Sequence, residues 1–273
     1  MPRLEARIRS YGATDALVAL SGGVDSSVVL AVAARALGSR RVTAVTAVSP
    51  SYPSGELQGA REVASFVGVE HRVVETGEVE QEAYVRNDAL RCFHCKTELY
   101  ATMACIADLR DGPHTAMLAG ANVEDRDDFR PGLRAAHQFT VRNPLLEEGL
   151  SKAEVRGVAR VLQLPVAEKP PLACLSSRVA FGVTITPELL ARIDRAEQTV
   201  RALGFEQVRV RHFGQRAMIE VPGPDVDRLN ADPRLPDLLL TLQSMGWAEV
   251  AVDPAGYRTG SMNATLVQLS RRR

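Results

Sequence analysis

The sequence carries no net charge: 33 Lys and Arg stand against 33 Asp and Glu. A balanced chain has no overall field to draw it to nucleic acid or to a membrane surface. It also lacks any apolar run near the roughly 18 residues that a membrane-spanning helix needs. Its first residues, MPRLEAR, contain no apolar signal-peptide core. The expectation is a cytoplasmic protein with neither a nucleic-acid nor a membrane partner. Cysteine is scarce, with only Cys92, Cys95, Cys105 and Cys174. In a reducing compartment these are thiols, metal ligands or catalytic groups before they are disulfides. There is no internal repeat and no low-complexity tract. The closing Arg-Arg-Arg reads as a solvated tail.

What is present is 273 residues, 45% hydrophobic and 24% charged, enough for one large α/β domain or two smaller ones. Short apolar runs at 16–20, 42–48, 69–74 and 115–119 read as strands. Between them, 24–37, 54–67 and 95–110 have apolar residues at helical spacing, the first stopped by Gly38. Strands alternating with helices predict a parallel sheet covered on both faces. The pattern then changes. Ser151-Lys-Ala-Glu154 is a capping box that opens a helix to about Leu162. Pro165, Pro170 and Pro171 mark a connector. Thr186 and Pro187 open a helix that ends near Gly204. The stretch QVRVRHFGQRAMIEV alternates on both sides of a Gly-Gln pair and predicts a hairpin, followed by a helix at 238–245 and a strand at 249–252. The tail therefore reads as a smaller α+β domain, and the boundary falls at about residue 170.

The stretch Leu17 to Gly38 reads LVALSGGVDSSVVLAVAARALG. A strand that ends in glycines and feeds a helix N-terminus makes an anion site. The glycines let the backbone come close, and unpaired N–H groups and the helix dipole face the anion. Ser21, Ser26 and Ser27 add hydroxyls. No lysine follows the glycines, so this is not the G-x-x-x-x-G-K-[ST] loop, and G-x-G-x-x-G is absent as well. Asp25 beside a phosphate makes sense if it orders the loop or helps to hold Mg2+. The plain alternative is a serine-capped Gly-Gly turn with no chemistry.

The string Ser21-Gly22-Gly23-Val24-Asp25-Ser26 resembles the pyrophosphate loop of the PP-loop ATP-pyrophosphatase superfamily. That resemblance implies a parallel-sheet α/β domain of the adenine nucleotide alpha hydrolase type, residues 1–170. It also implies an enzyme that cleaves ATP between the α and β phosphates and adenylates an oxygen of its substrate. Four further stretches narrow the choice: RCFHCKTELY (Arg91–Tyr100), LAGANVEDRDDFRPGLRAA (Leu118–Ala136), RNPLLEEGLSKAEVR (Arg142–Arg156) and KPPLACLSSRVAFG (Lys169–Gly182). Together they resemble the LarE family, ATP-dependent sulfur transferases of nickel-pincer nucleotide cofactor synthesis. The resemblance runs from about residue 10 to about residue 260.

It implies that ATP adenylates a carboxylate of pyridinium biscarboxylic acid mononucleotide, a small-molecule nucleotide substrate. A cysteine then displaces AMP as a thioester and surrenders its sulfur, leaving dehydroalanine. Residues 171–273 would form the sulfur-transfer and substrate domain. Family members with three cysteines near the last block bind an iron–sulfur cluster. PPLACLSSR has one, so no cluster is expected. Family members form oligomers, which implies a homo-oligomer here.

Residue by residue, the resemblance makes Cys174 the nucleophile, where a small buried hydrophobe is the alternative. ATP and Mg2+ fall to Ser21, Gly22, Gly23, Asp25 and Ser26, with Lys96, Gly120, Asn122, Asp125 and Arg134 beside the nucleotide. Gly120 would admit the adenosine, while Asp125, Arg130 and Arg134 could equally form an exposed ion-pair loop. Ser177 and Arg178 could bind substrate phosphate or lower the pKa of Cys174. Arg209 and Arg211, two apart on one strand, share a face that suits a phosphate or simply faces solvent. Glu197 and Glu220 match acids that hold a further divalent metal near the transferable sulfur; alone, each reads as a surface carboxylate. Cys92 and Cys95 could bind zinc, cycle as a dithiol or do nothing; zinc needs two more ligands, and no second C-x-x-C exists. Cys105 reads as core. Two other classes remain open: another PP-loop enzyme, such as a tRNA thiolase or an ammonia-dependent synthetase, and a non-enzymatic nucleotide-binding module. A tRNA enzyme should carry a basic surface, which the zero net charge does not supply.

Overall fold

Apolar residues in the strands alternate between two cores, and this explains the main sheet. A computed structural model of the protein describes residues 1–109, 114–127, 131–171, 173–258 and 262. Strands β1 (Asp15–Ala19), β2 (Val42–Val48), β3 (Glu70–Glu75) and β4 (Thr115–Leu118) form one sheet in the order β3-β2-β1-β4, with every pairing parallel. Ala16, Val18 and Leu20 pack on one face with Val28 and Val32 of the helix Val24–Leu37. Leu17 and Ala19 pack on the other with Leu99 and Met103 of the helix Arg91–Asp108. The same period of two sends Ala44 and Val45, and Leu118 and Ala119, to opposite cores. At the sheet edge, β3 leaves Glu70, Arg72 and Glu75 exposed, which discourages further pairing.

The helix Arg91–Asp108 begins four residues before the expected position at 95. Asp88 is the reason: its side chain accepts the Leu90 N–H and its carbonyl accepts the Arg91 N–H. Cys92 and Cys95 therefore lie in the first turns of the helix. The capping box of Ser151 and Glu154 forms as expected and starts the helix Lys152–Val161. Short helices such as Pro2–Arg9, Pro131–Gln138 and Gly223–Asn230 escaped the periodicity. Each has about two turns, shorter than the stretch over which a helical period can be recognised.

The chain divides into two compact units, Met1–Ser49 with Ser54–Glu78 and Cys92–Leu172, and Pro50–Pro53 with Val79–Arg91 and Ala173–Arg273. The second therefore takes two short segments that a single cut at residue 170 leaves in the first. Its sheet runs β5 (Arg209–Phe213), β6 (Arg216–Glu220), β7 (Glu249–Val252), antiparallel then parallel. Gly214, at φ +70°, turns the hairpin between the paired Phe213 and Arg216. The helix Pro187–Arg201 starts where the Thr186 hydroxyl accepts the Leu189 N–H at 3.2 Å. Leu190, Ile193, Val200, Val210 and Ile219 are buried in this unit.

Candidate active site

At the end of β1 the chain turns through Gly22, whose φ is +78°. That φ favours glycine, and a Cβ there would also meet the Ala60 nitrogen and the Glu56 oxygen at a tight 3.3 Å. The serines fold the loop onto itself. The Ser26 hydroxyl accepts the Ser21 N–H at 3.2 Å and donates to the Gly23 carbonyl at 3.1 Å. Ser27 is fully buried and donates to the same carbonyl at 2.7 Å, so it braces the loop from behind. Gly23 is the N-terminal cap residue of the helix Val24–Leu37, and no side chain caps that end. Its first-turn amides and the positive end of its dipole are left for an anion. Lys169 adds a charge: Nζ donates to the Gly22 carbonyl at 3.1 Å and to Glu56 at 2.6 Å. The sequence reading passed over Lys169, because its partners are more than a hundred positions away.

Beyond β4, Gly120 makes room for the start of the helix Val24–Leu37. A Cβ on it would lie 2.7 Å from the Ser26 nitrogen and 2.9 Å from the Asp25 carbonyl carbon. The glycine lets the first turn of the helix sit against the strand end. Asn122 is fully buried, and its Nδ2 donates to Asp25 at 3.2 Å while its own N–H donates to Asp125 at 3.1 Å. Burial pushes the Asp25 carboxyl above its usual pKa; Lys152 opposes this and Asp125 adds to it. Ser21, Gly22, Gly23, Asp25, Ser26, Gly120, Asn122 and Asp125 are thus assembled around one helix end. Lys96 sits with Nζ 5.9 Å from the Tyr100 ring centre, and Arg134 lies 5.2 Å from that of Phe93. Arg130 lies outside the described residues.

In the second unit Cys174 is half-buried and caps a single 3-10 turn, Leu175–Arg178. The turn is fastened at successive residues. Leu175 N–H donates to the Ser51 carbonyl at 2.8 Å. The Ser176 hydroxyl lies 2.5 Å from the Tyr84 hydroxyl, and its carbonyl accepts from Arg91 at 2.8 Å. Arg91 also donates to Asn87 Oδ1 at 2.6 Å, and Asn87 in turn donates to the Ala180 carbonyl at 2.8 Å. The Ser177 carbonyl accepts from Arg211 at 3.0 Å, and the Ser177 hydroxyl donates to the Cys174 carbonyl at 2.7 Å. Tyr84, Asn87 and Arg91 were missed because nothing local in the sequence ties them to residue 174.

Arg178 and Glu197 are 1% and 0% exposed and meet through two bonds, 2.8 and 3.1 Å. The remaining Arg178 nitrogen donates to the Ala173 and Cys174 carbonyls at 2.7 and 2.8 Å. Glu197 also accepts from Arg201 at 2.8 Å and from the Val210 N–H at 3.1 Å. Arg211 pairs with Glu220 at 2.8 Å. Arg209 donates to the Val208 carbonyl and stands 5.6 Å from the Tyr257 ring centre. Burial first, then the Arg178 charge, pull its pKa down to about 10. Several expectations change here. Glu197 and Glu220 are buried ion-pair partners rather than surface carboxylates, and this arrangement does not fit the metal site assigned to them. Among the described residues no group of three or more His, Cys, Asp or Glu is placed to hold a metal. Arg178 is buried and donates to Glu197, to the Ala173 and Cys174 carbonyls and to the Ser177 hydroxyl. Arg209 and Arg211 are buried, not solvated. Cys105 is exposed rather than core.

Burial opposes the charge of Glu197, but the Arg178 charge and hydrogen bonds, with Arg209 and Arg201, outweigh it and lower its pKa. A lowered carboxyl stabilises the fold above its unfolded pKa of about 4.3 and loses that contribution as pH falls through the folded value. Glu197→Gln, which strands Arg178, should cost about 3–5 kcal/mol at pH 7. The gap to wild type should close in acid. Urea melts at both pH values check this, and a constant gap would contradict it.

The Asparagine synthase family profile matches residues 7–106. The chain is 33% identical over 258 residues to pyridinium-3,5-bisthiocarboxylic acid mononucleotide synthase of Lactiplantibacillus plantarum, covering 92% of this chain and 90% of that protein. The chain belongs to the LarE family. It is 41% identical to an uncharacterized Synechocystis protein over 97% of this chain and 98% of that one. It is 28% identical to an NH(3)-dependent NAD(+) synthetase of Chlorobaculum tepidum over 64% of this chain and 63% of that enzyme. LarE membership makes this a PP-loop, ATP-using enzyme, and the four-stranded parallel sheet with its glycine loop fits that fold. No helix among the described residues of this LarE protein is long and apolar enough to cross a membrane.

Proposed function

We propose that this LarE protein is a sacrificial sulfur transferase with Cys174 as donor. One carboxylate of pyridinium biscarboxylic acid mononucleotide attacks the α-phosphorus of ATP, and pyrophosphate leaves. The Cys174 thiolate attacks the acyl carbon, and AMP leaves. A base then takes the Cα proton of Cys174, the Cβ–S bond breaks, and a thiocarboxylate departs from a dehydroalanine. The chain loses the elements of one molecule of hydrogen sulfide, with no redox change. The likeness to the bisthiocarboxylic acid synthase over 92% of the chain carries this reading. The NAD(+) synthetase match covers only 64%, which favours sulfur over ammonia as the incoming group.

The loop at Gly22 and Gly23 would take the phosphates, and Asp25, with Asp125 beside it, would hold Mg2+. The support is chemical: two neighbouring carboxylates, one partly buried, are relieved by a cation. That ion would neutralise phosphate charge. Purified protein given ATP, Mg2+ and the mononucleotide should release pyrophosphate and AMP and form a thiocarboxylate without added sulfide. An amide formed from ammonium would overturn the reading.

Asp25→Asn keeps the shape that Asn122 contacts but removes the charge. Pyrophosphate release should fall on the order of 10²-fold with the fold intact by circular dichroism. Normal release would remove Asp25 from the site. The Cys92 and Cys95 pair should be dispensable. A Cys92→Ser/Cys95→Ser double variant should fold and transfer sulfur once. Stoichiometric zinc, lost together with activity in that variant, would contradict this.

A further inference from the structure

We propose that Arg178 and Ser177 stabilise the enolate formed when Cys174 loses its Cα proton. This rests on the sacrificial reading above. When a base removes that proton, the electron pair moves onto the carbonyl oxygen of Cys174. It then returns and expels sulfur from Cβ. The charge that develops in the difficult step therefore sits on the main-chain oxygen of residue 174, not on its side chain.

That oxygen is unusually well supplied with donors. It accepts from the Ser177 hydroxyl at 2.7 Å, the Arg178 guanidinium at 2.8 Å and the Ser177 N–H at 3.0 Å. These distances are those of donors in an oxyanion hole, and the enolate oxygen is the same atom in nearly the same place. The two Ser177 contacts follow from the tight turn itself. The guanidinium does not. Arg178 folds back, shares one nitrogen between the Ala173 and Cys174 carbonyls, and contacts the Ser177 hydroxyl at 3.0 Å. Glu197 grips its other side through two bonds inside the protein. The cation is buried, fixed and aimed before any reaction begins, so it needs no reorganisation as charge appears. Glu197 is a positioning residue in this scheme, and Arg178 and Ser177 touch the reacting group.

The step can be tested without ATP or substrate. An α,α′-dibromo diamide alkylates a cysteine sulfur twice and gives a cyclic sulfonium. A base then takes the Cα proton and a neutral sulfide leaves, producing dehydroalanine. Peptide mapping follows this conversion at residues 174 and 105 of the same full-length chain. In the folded protein, elimination from the Cys174 sulfonium should be on the order of 10²-fold faster than from the exposed Cys105 sulfonium. The ratio should approach one in urea, and should fall sharply in Ser177→Ala and Arg178→Lys. Ser177→Ala removes one half-buried hydroxyl and is expected to fold. Equal rates at the two sites, or an unchanged ratio in folded Ser177→Ala, would overturn the proposal.

A single-turnover arm with ATP and the mononucleotide covers the case in which the reagent does not reach residue 174. There Ser177→Ala should accumulate the acylated chain, and conversion to dehydroalanine should slow when cysteine deuterated at Cα is incorporated. Loss of acylation instead of elimination in that variant would overturn the proposal. Wild-type protein that never acylates would sink the sacrificial reading itself while leaving the sulfonium result to stand or fall alone.

Discussion

Cys174→Ala should release pyrophosphate in the presence of the mononucleotide and transfer no sulfur. In the proposed scheme adenylation is assigned to the loop at Gly22 and Gly23, with Asp25 and Asn122, and not to residue 174. The turn after residue 174 is held by groups that this substitution leaves alone: Ser51, Tyr84, Arg91 and Glu197. Removing one half-buried sulfur therefore deletes the proposed nucleophile without loosening its support. Thiocarboxylate yield should fall below detection, while the first-turnover pyrophosphate burst stays within a few-fold of wild type. Comparable thiocarboxylate yield from this variant would point to an external sulfur donor.

Gly120→Ala should act on the opposite half of the reaction. The new Cβ would stand 2.7 Å from the Ser26 nitrogen and 2.9 Å from the Asp25 carbonyl carbon, both of them backbone atoms that cannot swing aside. The first turn of the helix Val24–Leu37 must move. That shift displaces the amides and the Asp25 carboxylate together. Misplacement of a reacting group by about 1 Å can cost on the order of 10²-fold in rate. Overpacking should remove about 1–3 kcal/mol of stability. Gly157→Ala is the control. It lies in the helix Lys152–Val161 with nothing within 4 Å of a new Cβ, so it should gain up to about 1 kcal/mol and keep full activity. Equal pyrophosphate release by both variants would show that the helix end does not hold ATP.

The parts of this structure legible in the sequence are those written in short range. β1, β2 and β4 announce themselves by apolar runs, and the period of two then sorts Leu17 from Val18 into separate cores. The loop is legible because a strand, two glycines and a helix start are contiguous. Pairings across long separations are not legible. Lys169 reaches Gly22 across 147 positions, and Arg91 reaches Ser176 across 85. Glu197 and Glu220 looked like available carboxylates because a sequence shows an acid but not the guanidinium folded against it. Gly120 was singled out for a nucleotide, and its close approach to the Ser26 backbone could not be read from the sequence, because both a nucleotide and a helix backbone demand a missing Cβ. Cys105 was read as core from helical spacing, yet the helix turns that position outward.

Intact mass of the full-length chain before and after one turnover with ATP, Mg2+ and the mononucleotide tests the central claim most directly. The account predicts a decrease equal to one hydrogen sulfide per product formed, with the loss mapping by peptide sequencing to residue 174 as dehydroalanine and to none of Cys92, Cys95 or Cys105. Product formed with the chain mass unchanged, or a loss at another cysteine, would contradict it.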